Sequence, residues 1–61
     1  MRDTLIDLKS EYAGKFKAYI EAAKILESVN EELFLECIKQ ASGCRLMIKE
    51  YDRMIKEQDN Q

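Results

Sequence analysis

The sequence predicts an all-α protein: an antiparallel helical hairpin that pairs with a second copy into a dimeric four-helix bundle. Three observations carry this expectation. Apolar residues recur at helical, near-heptad spacing on both sides of residues 28–31. Proline is absent and glycine occurs only twice, which leaves little to interrupt two long helices. On each half the apolar arc is also too wide for a single neighbouring helix to cover.

The first helix is expected over residues 4–27. Asp3 or Thr4 has a side-chain oxygen that can accept an orphan amide of the first turn, and Asp7 complements the positive end of the helix dipole. Leu5, Tyr12, Tyr19 and Leu26 fall at seven-residue spacing, and Leu8, Ala22 and Val29 fill the second seam position. Phe16 and Ala23 lie to one side and Ile6, Ala13 and Ile20 farther round, so the apolar arc spans about 160° at about 100° per residue. Glu11 and Lys15 form a favourable pair four residues apart on the polar face. Gly14 also falls on the polar side. There it is either a tolerated surface residue or a point of close approach by another backbone.

Ser28-Val29-Asn30-Glu31-Glu32 reads as the turn. Ser28 and Asn30 are helix-capping residue types, and Ser28-Val29-Asn30-Glu31 fits the capping-box pattern. The second helix is expected over residues 31–57, followed by a polar tail at 58–61. Acids gather at its start (Glu31, Glu32, Glu36) and bases later (Lys39, Arg45, Lys49, Arg53, Lys56), an order that complements the dipole. Its seam runs Phe34, Ala41, Ile48 and Ile55 at one position and Cys37, Cys44 and Tyr51 at the other. Leu33, Met47 and Met54 flank one side and Ile38 the other. Ala41-Ser42-Gly43 offers an alternative, a three-helix bundle broken at Gly43 as a left-handed cap. The unbroken helix is preferred, because the heptad stays in phase across Gly43 from Ala41 through Cys44 to Ile48.

At 61 residues the chain makes one domain, and a core this small usually needs a staple or a partner. Cys37 and Cys44 do not supply a disulfide, because seven helical residues separate them by about 10.5 Å along the axis, beyond the reach of about 7 Å. Without histidine they do not complete a structural zinc site, and Glu32 with Glu36 does not match a di-metal motif. No metal and no cofactor is expected. Nor is an enzyme: histidine is missing, the thiols sit on the seam without a base, and there is no phosphate-binding loop. A net charge of −2, from 10 basic and 12 acidic residues, gives no general attraction to nucleic acid or anionic membrane. Uninterrupted apolar runs such as Leu33-Phe34-Leu35 fall far short of the ~20 residues of a membrane span. Asp3 and Asp7 break any leader-like run, so no signal peptide is expected and a cytoplasmic location is.

With catalysis set aside, the expected function is a small interaction protein: an adaptor, inhibitor or regulator of a larger protein. Leu35, Leu46 and Ile25 are its expected contact residues, being apolar where solvent is expected. The alternative is a dimeric nucleic-acid-binding regulator using Arg45, Lys49, Arg53 and Lys56, which share one side of the second helix. Interleaved Glu50, Asp52 and Glu57 weaken that alternative. The aromatic residues Tyr12, Phe16, Tyr19, Phe34 and Tyr51 are spaced for core packing rather than base stacking. In architecture alone, with no matching stretch of sequence, the expected bundle resembles the plan of the plasmid RNA-binding protein Rop. That resemblance carries little functional weight.

Overall fold

The computed structural model describes residues 2–59. Two helices, α1 (Arg2–Leu26) and α2 (Glu31–Asp59), pack against each other as an antiparallel hairpin. No described residue has a positive φ, so the chain reverses without a left-handed residue. The reversal continues the hydrogen bonding of α1. The Glu27 amide donates to the Ala23 carbonyl at 2.9 Å, and the Val29 and Asn30 amides donate to the Leu26 carbonyl at 3.0 and 2.9 Å.

Asn30 starts α2. Its Oδ1 accepts from the Leu33 amide at 3.1 Å and its carbonyl from the Phe34 amide at 2.9 Å. This satisfies the third amide of the helix, the usual N-cap arrangement. A capping box opened at Ser28 is therefore corrected, since α2 begins directly after Asn30 and Ser28 lies within the turn. Val29 is likewise corrected. It was expected on the seam, but α1 ends at Leu26, and Val29 sits in the turn with 76% of its surface exposed.

α2 is continuous through Gly43, which overturns the three-helix alternative broken there. Gly43 has no positive φ, and a β-carbon added to it would meet nothing within 4 Å. No left-handed cap forms and no neighbour presses on the backbone, so the in-phase seam carries the helix across. Gly14 is equally open on α1, with no other backbone approaching it. α2 runs two residues past its expected end. Gln58 and Asp59 of the expected polar tail are helical, and Asn60 and Gln61 lie outside the described residues.

Leu5, Ala23, Ala41 and Cys44 are buried between the helices. Tyr12, Phe16, Tyr19, Phe34, Ile48, Tyr51 and Ile55 are only half-buried. The Tyr12 and Tyr51 rings meet across the seam with centroids 5.8 Å apart, within the range of favourable tilted aromatic pairs. The hairpin measures 49 × 14 × 11 Å. Its radius of gyration is 14.2 Å, against about 10.5 Å for a globular chain of this length. The molecule is a rod two helices thick, and half-buried aromatic and aliphatic side chains follow from that shape.

Candidate interaction surfaces

Register and handedness divide the rod into four long faces. Among the described residues two ion pairs link the helices: Lys9 Nζ to Asp52 Oδ1 at 2.9 Å, and Arg2 to Asp59 at 3.1 Å. With about 100° of rotation per residue, both pairs fall on the same side of the hairpin. This bridged side also carries Arg45, Lys49 and Lys56 of α2 and Ile6, Ala13, Ile20 and Ile38. The opposite, open side carries Leu8 and Ala22 of α1 with Leu33, Gln40, Met47 and Met54 of α2. No ion pair joins the helices there among the described residues. Lys15 leans over the Tyr12 ring, its Nζ 4.9 Å from the centroid, and also meets Glu11 at 3.8 Å.

The two remaining faces are the outer surfaces of the helices. Leu35 and Leu46 lie on the outer face of α2, within about 30° of the direction opposite the seam and about 16.5 Å apart along the axis. They are 56% and 67% exposed. Ile25 is 72% exposed, but on the outer side of α1, so the thickness of the hairpin separates it from the leucines. The fold therefore gathers two of the three expected contact residues and leaves the third on another face.

All four residues of the basic strip are exposed, but they are not equally free. Arg53 lies between Glu50, which it contacts closely, and Glu57 at 2.5 Å. Lys56 reaches Asp52 at 3.2 Å. Arg45 and Lys49 have no ion partner among the described residues. The Arg53 hydrogen bond holds the Glu50 carboxyl below its ordinary range, and Glu50 in turn raises Arg53. Asp52 is held below the usual aspartate range first by its hydrogen bond from Lys9, then by that from Lys56. All of these groups are well solvated, so the pairs orient side chains more than they stabilise the fold.

Cys44 is buried and Cys37 half-buried, and both are free thiols. Among the described residues there is no pocket, no group of three or more potential metal ligands close together, and no helix long and apolar enough to cross a membrane. Sequence reasoning missed Lys9. Its signal was its position: it borders Leu5 and Phe16 on the wheel, close enough to the seam for a long cationic side chain to reach α2. No protein family, curated protein or solved structure matches this chain.

Proposed function

We propose that the chain is a small, non-enzymatic protein–protein interaction module of the cytoplasm. It works as a dimeric four-helix bundle and regulates, inhibits or adapts a larger protein through the outer face of α2. The observation that carries the reading is the pair Leu35 and Leu46. Single exposed leucines are ordinary. Two aligned on the face opposite the hairpin seam, with Lys39 and Ser42 between them along the helix, form an apolar pair with polar neighbours. A groove on a partner reads such a helix by apolar anchors spaced along one face. Dimer formation is supported by surface area. The chain exposes 4811 Å², where a compact protein of 7.2 kDa exposes about 4,100 Å². The excess of about 700 Å² is surface that a two-helix rod leaves uncovered, and a second hairpin packed alongside would cover half-buried side chains of the seam.

The nucleic-acid reading has less support, because Arg53 and Lys56 are already neutralised by carboxylates on their own helix. Affinity capture with the intact protein separates the two readings. Leu35→Ala with Leu46→Ala weakens partner capture by about 1–3 kcal/mol and leaves melting nearly unchanged. Arg45→Glu with Lys49→Glu leaves capture intact. The reading fails if the leucine variants bind the partner normally while the charge reversals abolish binding and added salt disperses the complex.

A further inference from the structure

We infer that the bridged side of the hairpin rests on a lipid bilayer bearing anionic headgroups, with the rod lying flat along it. The inference goes beyond the protein-binding reading and uses other residues. Charge on this chain is segregated, and the net value of −2 hides it. Along the middle of the bridged side, between Asp52 and Glu27 at the turn, the wheel places Lys17 and Lys24 of α1 with Arg45 and Lys49 of α2. Among the described residues no carboxylate falls in that stretch of the side. All four cations are exposed, and none joins an ion pair among the described residues. Farther from the turn, Asp52 and Asp59 are already met by Lys9, Lys56 and Arg2. The open side is of the other sign, with Glu11 and Glu36 against Lys15.

A cationic surface attracts a phosphate backbone, an acidic helix or a bilayer, and the apolar residues decide among them. Ala13 and Ile20 of α1 and Ile38 of α2 point roughly perpendicular to the seam. They stand on the crowns of the two helices, where a flat surface touches both at once. Ile6 extends this line toward the far end, and Ile6 and Ile38 are 40% and 37% exposed. The furrow between the crowns carries Phe16 and Phe34 but also Lys9 and Arg45. A third helix laid there would set its apolar face on those two cations. A phosphate backbone gains nothing from isoleucine. A bilayer uses both kinds of residue: aliphatic side chains enter the headgroup boundary, and the stems of lysine and arginine carry their charge to anionic headgroups. The contact is interfacial, since no described helix is long and apolar enough to cross a membrane. A second copy turned face to face would set the same four cations against one another.

The test is co-sedimentation of the intact protein with vesicles of phosphatidylcholine, alone or mixed equally with phosphatidylserine, with helix content followed by circular dichroism. Wild type sediments with the mixed vesicles and stays in solution with the neutral ones, and added salt weakens the binding. Lys24→Gln with Arg45→Gln weakens it by about tenfold. Lys15→Gln with Lys39→Gln changes the net charge equally but on other faces, and leaves binding nearly unchanged. Ile6→Ser with Ile38→Ser weakens it several-fold at constant charge. Leu35→Ala with Leu46→Ala binds vesicles as wild type does, so lipid binding and partner capture are read separately. The inference is overturned if wild type ignores the anionic vesicles at low salt, or if both glutamine pairs weaken binding alike. It is also overturned if the serine pair binds as wild type and duplex DNA displaces the protein from the vesicles, because the attraction is then to phosphate alone.

Discussion

Replacing Gly43 by alanine tests the continuity of α2 directly. Glycine in a helix interior loses more backbone freedom on folding than alanine, at a cost of roughly 0.5–1 kcal/mol. The structure removes the two terms that usually oppose this gain. Gly43 has no positive φ, so alanine adopts its conformation without strain. Nothing lies within 4 Å of the added β-carbon, so no side chain has to move. The full gain of about 0.5–1 kcal/mol is therefore expected. Unfolding entropy near 2.1 cal/mol/K per residue gives about 0.13 kcal/mol/K for this chain, so Tm rises by about 4–8 °C. Thermal melts followed at the helical dichroism band, at one fixed protein concentration, read the shift. Gly14→Ala, open in the same way on α1, gives a similar gain, and the two add because they sit on different helices without shared contacts. A fall in Tm for Gly43→Ala alone would refute the reasoning, since it requires a left-handed conformation and hence a break at that residue.

Three further outcomes follow from the hairpin. Asn30→Ala lowers stability by about 1 kcal/mol and Asn30→Gly by only a few tenths, because the Leu33 amide loses its acceptor. In a urea titration of both, Ser28→Ala is nearly silent. Asp52 is held below its ordinary range in the folded chain, so its pairing stabilises above the unfolded aspartate value and is lost as pH falls through the lower, folded one. Asp52→Asn therefore flattens the acid limb of a stability-versus-pH curve, and wild type with an unchanged acid limb on this substitution would contradict the Lys9 contact. Cys44→Ala costs more than Cys37→Ala because Cys44 is the more buried, with about 1–2 kcal/mol for both together. Thiol labelling of the native protein correspondingly reaches Cys37 first.

Much of the fold was legible because both helices carry their own periodic signal. Leu5, Ala41 and Cys44 were predicted on the seam and Ala23 just to one side of it, and these four are the buried residues. Gly43 was readable from phase, since a break would have shifted the heptad between Ala41 and Ile48. Val29 was not, because the period of α1 continues for three residues beyond the last helical turn, and only the cap at Asn30 marks where the chain leaves it. The exposure of Leu35, Leu46 and Ile25 was legible from their angle to the seam. Their separation onto two faces was not, because it depends on how the helices pair. Periodicity is equally silent on long-range charge. The Glu57 partner of Arg53 lies at a standard helical spacing, whereas Arg2–Asp59 and Lys9–Asp52 emerge only once the helices are in register.

Those two cross-links both sit toward the end of the rod away from the turn, and that gives the hairpin a direction. Contacts beside Asn30 close a short loop, whereas the Arg2–Asp59 contact closes nearly the whole chain, and loop entropy grows with the length enclosed. Solvent-exposed pairs add little hold. The rod therefore unzips from its mouth, with backbone amides near Arg2 and Asp59 exchanging with solvent first and those near Ala23 and Ala41 last. A protease that needs an unwound stretch meets its substrate at the mouth, while the Leu35 end keeps its shape. A partner gripping Leu35 would hold the stiff end of a molecule whose far end breathes.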